Sequence, residues 1–278
     1  MMLRITTLSE NTAGRGGFLG EWGLSIFVEA DGTNILFDCG KTISAVYNAD
    51  TLAIDFSKVD KIVLSHGHYD HTGGLREVLR RIRKEVKVIA HPDIWQAKYA
   101  RCEDKPDRYI GIPFQRMELE SLGARFELSK EPIAITDRII TTGEVPMITD
   151  FEQVDAGMYI KEDSGWQPDN ILDDQALVIK TEAGLVVILG CAHRGVVNTL
   201  FHAQKLTGIQ KISAVIGGSH LMGVSDDRLW QTIDAIRALD IKRIGLCHCT
   251  DLPAASLMAQ EFGESFFFNK AGTVIEIP

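Results

Sequence analysis

The densest chemistry in this sequence lies in residues 64–75, which read LSHGHYDHTGGL. His66 and His68 are separated by one residue, so in extended backbone both side chains point the same way. Asp70 and His71 follow within a turn. Imidazole and carboxylate groups suit zinc, iron or manganese, so these four donors can converge on a divalent cation. A lone histidine is usually structural or solvated; three with an aspartate at one strand-to-helix junction are not accounted for that way. Gly67 is expected to lend backbone freedom between the donors, and Gly73 and Gly74 to permit close approach at a helix start. A second grouping of donor types, Cys247-His248-Cys249, ends an apolar run; Cys-x-Cys can itself hold a soft metal.

The surrounding elements must aim these residues. Residues 3–8 read as a strand, 11–23 as a glycine-rich loop, and 24–29 with 34–38 as a hairpin turning at Asp31-Gly32. Residues 61–65, KIVLS, form a short buried strand that delivers His66. Helical periodicity follows over 73–85, with Leu75, Val78, Leu79 and Ile82 on one face. Further strands are expected at 86–90, 125–128, 133–136, 139–142, 176–181, 185–189, 212–216, 243–247 and 273–277. Helices are expected at 196–206, 226–239 (capped by Ser225, with Asp226 and Asp227 in the first turn) and 254–262. Residues 92–116 mix prolines, aromatics and charges without a clear strand and read as a helical insert or a lid. Residues 163–174 read as loop. Strand-rich and helix-containing halves in succession point to one domain over 1–278, an αββα sandwich of two mixed sheets flanked by helices.

Composition narrows the function. The 278 residues carry a formal net charge of −9, which disfavours a general nucleic-acid binder. The basic run over 76–87 is interleaved with apolar residues at helical spacing and reads as a solvated helix face. No apolar stretch approaches the roughly 18 residues of a membrane span, and the N-terminus lacks a signal-peptide pattern. The five cysteines, Cys39, Cys102, Cys191, Cys247 and Cys249, are scattered and odd in number, unlike a secreted disulfide framework. The expectation is a cytoplasmic protein acting on a small molecule, without membrane or nucleic-acid partner, its homo-oligomeric state open.

H-x-H-x-D-H after a short apolar strand resembles the signature of the metallo-β-lactamase superfamily. Further stretches look like one branch of it: Glu21-Trp22-Gly23-Leu24-Ser25, Leu36-Phe37-Asp38-Cys39-Gly40, Thr142-Gly143-Glu144-Val145-Pro146, Asp174-Gln175-Ala176-Leu177, Gly190-Cys191-Ala192-His193 and Gly217-Gly218-Ser219-His220. That branch includes proteins similar to dihydropterin–ribofuranosylaminobenzene phosphate synthase. The resemblance implies that His66, His68 and His193 hold one metal ion, and Asp70, His71 and His248 a second. It implies a framework role for Asp38 and places His220 beside the substrate. Many members carry a bridging aspartate where this chain has Cys191, so the expectation is that the second ion binds weakly or that Cys191 is a neighbour that does not ligate. Glu21 reads equally as a site residue or a solvated loop residue, His91 as structural or at the pocket rim, and His202 as a helix residue without function.

The implied chemistry is metal-assisted hydrolysis of a small phosphorylated or cyclic ester, with Asp70 orienting the nucleophile and either His220 or the glycine-rich loop stabilising developing charge. One or two divalent ions are expected, zinc first, with manganese, magnesium or iron as alternatives. Two other classes stay open. One is an iron-dependent redox enzyme of the same fold, disfavoured by Gly67, where the di-iron branch has glutamate. The other is a non-catalytic metal-binding protein, for which the missing bridging aspartate is the only support.

Overall fold

The computed structural model describes residues 2–278. Two mixed sheets face one another. The first runs β16 (Val274–Ile277), β1 (Leu3–Ser9), β2 (Ser25–Ala30), β3 (Thr33–Phe37), β4 (Lys61–Val63), β5 (Val86–Ala90) and β8 (Ala124–Leu128). The second runs β15 (Arg243–Cys247), β14 (Ile212–Gly218), β13 (Gly184–Leu189), β12 (Leu177–Thr181) and β9 (Ile139–Thr141). Period-2 alternation divides the apolar residues between the two faces of each sheet. Ile26, Val28, Ile35, Phe37, Val63 and Ile89 meet Leu177, Ile179, Val186, Ile188, Ala214 and Ile216 in the core between the sheets.

The alternate residues turn outward to helices. Phe27, Leu36, Ile62 and Val88 pack under α1 (Ser44–Thr51) and α3 (Leu75–Ile82), and Leu119 of α4 (Arg116–Ser121) joins the same cluster. Val178, Leu185, Val187, Val215 and Leu246 pack under α5 (Val196–Thr207), α6 (Asp226–Ala238) and α7 (Leu252–Phe262). The result is the expected αββα sandwich. Ser225 caps α6 as its sequence position suggests, its hydroxyl accepting from Arg228 N at 3.3 Å. Among the described residues, no helix is long and apolar enough to cross a membrane.

Several local expectations are corrected. The helix expected over 73–85 is shorter: α3 begins at Leu75 and stops at Ile82, after which Arg83 takes φ 56°, and α2 (Tyr69–Thr72) precedes it as a separate turn. Residues 133–136 are not a strand, because the chain turns back there, with Ile135 N and Thr136 N both bonding Ile139 O. Residues 92–116 do contain strands: β6 (Lys98–Cys102) and β7 (Lys105–Tyr109) join β10 (Met158–Glu162) and β11 (Gly165–Pro168) in a small antiparallel sheet. It is two-faced. Tyr99, Tyr109, Arg101 and Trp166 stack on its outer face, with the Arg101 guanidinium 4.2 Å from the Trp166 ring centre. On its inner face Lys98 is fully buried and bonds Asp169 at 2.8 Å and Asp173 at 2.9 Å.

Candidate metal centre

The candidate donors leave the carboxyl ends of strands: His66 and His68 follow β4, Cys191 and His193 follow β13, His220 follows β14 and His248 follows β15. Side-by-side parallel strands present such ends along one crevice. The turns leaving them are tight. Asp38 (φ 59°), Ala192 (φ 51°), His220 (φ 48°) and His248 (φ 56°) all adopt left-handed backbone without being glycine, which costs on the order of 1 kcal/mol or more each. Gly190 is required by space, since a Cβ there would lie 2.1 Å from Ser65 Oγ. The expected freedom at Gly67 is corrected: its φ is not positive, and its missing side chain instead admits Ile94 O, 2.6 Å from where a Cβ would stand. Gly74 does permit close approach, against Cys39 O.

The donors fall into two adjoining sets. His66 Nε2 lies 3.0 Å from His68 Nδ1 and 3.2 Å from His193 Nε2. His71 Nε2 lies 3.2 Å from His248 Nε2, which is 3.5 Å from Asp70 Oδ2. A tetrahedral site with metal–nitrogen bonds of about 2.0–2.1 Å has donor–donor edges of roughly 3.3 Å, close to both spacings. Cys191 Sγ stands 3.0 Å from His71 Nε2 and within 4.8 Å of the donors of both His66 and His193, so it sits between the sets.

The buried hydrogen bonds select which ring nitrogen carries the proton. Asp38 accepts from Ser65 N and from Ser65 Oγ, both at 2.7 Å. With its hydroxyl proton committed, Ser65 Oγ can only accept from His66 Nδ1 at 2.8 Å. Asp38 Oδ2 also accepts from His71 Nδ1 at 2.7 Å, and Asn11 Oδ1 from His248 Nδ1 at 3.0 Å. In the neutral rings this leaves the Nε2 lone pairs of His66, His71 and His248 bare and aimed at their neighbours. Bare lone pairs facing one another in a buried space call for a cation, and the donor set therefore fits divalent metal ions.

Charge follows the same pattern. Burial, helped by the neighbouring imidazoles, pushes His66 and His193 well below the usual histidine range, and burial takes His68 down to about 3. Burial alone would lower His71 too, but Asp38 raises it to about 9. Burial works to raise Asp70, yet His248 and His71 hold it below the usual carboxylate range, and Trp22 Nε1 donates to its Oδ2 at 2.9 Å.

All six expected ligands, His66, His68, His193, Asp70, His71 and His248, are brought together. His220 lines the same cavity of about 110 Å³ and packs its ring 4.1 Å from that of His193. Cys249 also lines the cavity, its Sγ within 4.8 Å of the Cys191 and His248 donors and accepting from His220 N, while Cys247 contacts Asn269. Glu21 is a loop clasp, accepting from Lys41 N, Thr42 N and Ser44 Oγ. His91 is buried against Glu144 and His202 bonds Thr142 O; neither lines the cavity. Sequence reasoning missed the roles of Ser65, Asn11 and Trp22, and missed Arg108, which also lines the cavity. Trp22 stood in a branch-like motif; nothing in the sequence marked Arg108.

A sequence model of the metallo-beta-lactamase superfamily matches residues 23–197. The chain belongs to the metallo-beta-lactamase superfamily. Within it, the chain is 35% identical to the 7,8-dihydropterin-6-methyl-4-(beta-D-ribofuranosyl)-aminobenzene-5'-phosphate synthase of Methanocaldococcus jannaschii, over 99% of this chain and 96% of that protein. It superposes on the crystal structure of a metal-dependent hydrolase of the beta-lactamase superfamily with TM-score 0.86 and 28% identity, over 99% of both chains. A diphosphatase of the PhnP family shares the fold alone, at 14% identity and TM-score 0.56, over 100% of this chain and 98% of that one. In this superfamily chain the motif run over 66–71 lies inside the matched region, while His220 and His248 lie beyond it.

Proposed function

We propose that this protein is a binuclear metallohydrolase, zinc-dependent in the first instance, acting on a small phosphorylated or cyclic ester. The observation that carries the reading is the pair of adjoining donor sets in which Ser65, Asp38 and Asn11 occupy the Nδ1 atoms of His66, His71 and His248 and leave their Nε2 atoms facing the neighbouring donors. His66, His68 and His193 would hold one ion and Asp70, His71 and His248 a second, and Cys191, between the two sets, would offer its sulfur where relatives offer a carboxylate. Divalent ions there supply Lewis acidity and bring the pKa of a coordinated water toward about 7.

The chain's own residues do the rest. Asp70 stays anionic and, steadied by Trp22, accepts a hydrogen bond from the attacking water and sets its direction. His220, whose Nδ1 is buried without a hydrogen-bond partner, donates to the substrate oxygen that gains charge. Trp22 and His248 also line a neighbouring pocket of about 530 Å³, with Leu246, Leu252 and Ala255 among its other lining residues, and this is the space proposed for the non-reacting part of a small molecule.

A second reading follows from the whole-length relative. An organic nucleophile in the place of water would join two small molecules, as in the assembly of a dihydropterin with a ribofuranosyl-aminobenzene phosphate. A panel of phosphoesters, lactones and thioesters offered to metal-loaded protein tests the first reading. At least one class is expected to turn over, with His68→Ala reducing it to background. Coupled product in place of hydrolysed product, by mass spectrometry, favours the second, and a fully metal-loaded chain inert to every member contradicts hydrolysis.

A further inference from the structure

The small four-stranded sheet roofs the metal cavity, and its strand register decides which residues face in. Met158 pairs with Ala100, and Ala100 pairs with Arg108, so the three form one row across the sheet. Residues paired across strands share a face, and residues two apart along a strand share it too. Lys98, two residues before Ala100, is on that face and is buried against Asp169 and Asp173, which fixes it as the inner one. Ile110, two residues after Arg108, bonds its carbonyl to Tyr69 N at 2.8 Å, inside the metal-binding motif. Arg108, Ile110 and Met158 accordingly all line the cavity with His68, Asp70 and His193.

Arg108 is the only lysine or arginine among the described residues that line this cavity. It makes no salt bridge to any described carboxylate; its neighbour Asp107 is turned to the outer face and pairs with Arg101 at 2.9 Å. Its Nη1 lies 3.5 Å from Tyr69 Oη, and the Tyr69 ring carries the Lys41 ammonium 5.4 Å from its centre. A guanidinium held over a metal centre, without an acidic partner, is a fork for a planar pair of oxyanion oxygens.

We propose that Arg108 is the phosphate-binding residue of this site, reaching from the roof sheet to the phosphoryl oxygens of the substrate. The proposal rests on the phosphorylated-substrate reading above. It also gives the insertion a purpose: the sheet brings one cation to a cavity otherwise lined by donors and apolar groups.

The test is binding of inorganic phosphate to metal-loaded protein by calorimetry, with metal content measured in every variant. Arg108→Ala is expected to weaken phosphate binding by about ten- to a hundred-fold, the usual effect of a charge-assisted hydrogen bond, with metal content unchanged. Arg108→Lys should recover part of the loss. Arg101→Ala, which removes a cation from the outer face of the same sheet, should leave affinity unchanged. Phosphate that does not bind the wild type, binds Arg108→Ala equally well, or weakens as much in Arg101→Ala overturns the proposal. These readouts do not depend on turnover, so a failure of hydrolysis and a failure of Arg108 are distinguishable.

Discussion

Each of the three best-oriented imidazoles has one nitrogen committed, to Ser65, Asp38 or Asn11, and this makes metal binding a proton-linked event. His71 is the sensitive member. Burial disfavours its charge, but the Asp38 carboxylate overrides that and raises its pKa to about 9. Below that value the metal-free ring carries a proton on the nitrogen an ion needs. Metal affinity on the His71 side therefore falls as pH drops below about 9 and rises as pH climbs toward it. The Cys191 thiol, pushed well above its ordinary range by burial, gives up a second proton when it ligates. Calorimetric titration of zinc near neutral pH, in buffers of differing ionisation enthalpy, should count one proton released for His71 and another for Cys191. Release of none would mean that neither group meets the metal. The histidine motif was plain in the sequence because its residues are adjacent, whereas Ser65's part depends on Asp38, 27 residues away, and Asn11's on His248, 237 away.

At the level of elements, the small sheet depends on Lys98. Its ammonium joins Asp169 and Asp173, and Asp173 in turn accepts from Gly67 N at 2.7 Å, between two metal donors. One buried triad thus holds both the roof and the ligand loop. Lys98→Met leaves two buried carboxylates without their cation and should cost about 3–5 kcal/mol in denaturant unfolding at neutral pH. The sign of the pH effect follows from Asp173. Burial works to raise its pKa, but Lys98 pulls it below the ordinary 3.8, so its contribution is present above 3.8 and is lost as pH falls through the lowered value. The gap between wild type and Lys98→Met should narrow as the solution is acidified through that window; a gap that is absent or constant contradicts the triad's role. This sheet was also the least legible part of the chain. All five residues of β7 are exposed, so the apolar alternation that reveals a strand is missing, and pairing and cation–aromatic stacking hold it instead. By contrast β12 and β13 carry unbroken Leu, Val and Ile runs because both faces of the second sheet are covered, and they were read correctly.

The whole molecule is a device for bringing strand ends together. His66 and His248 are 182 positions apart, yet β4 and β15 lie in sheets that face each other, and their carboxyl ends open on one crevice. The αββα layering was legible from apolar periodicity and the superfamily resemblance, because core patterning repeats along many strands. Arg108 was not, because its place depends on the register of a sheet the sequence hides. Cys191 was legible as a departure from the superfamily pattern, but its position between the two donor sets emerged only from the packing of β13 against the His66–His71 loop. The central claim, a two-metal centre sharing Cys191, is tested most directly by elemental analysis of protein purified without added metal, alongside Cys191→Ala. The account predicts about two divalent ions per chain, zinc foremost, falling to about one in the variant as the His71 side empties. A chain that holds no metal even after reconstitution, or a variant that keeps both ions, would contradict it.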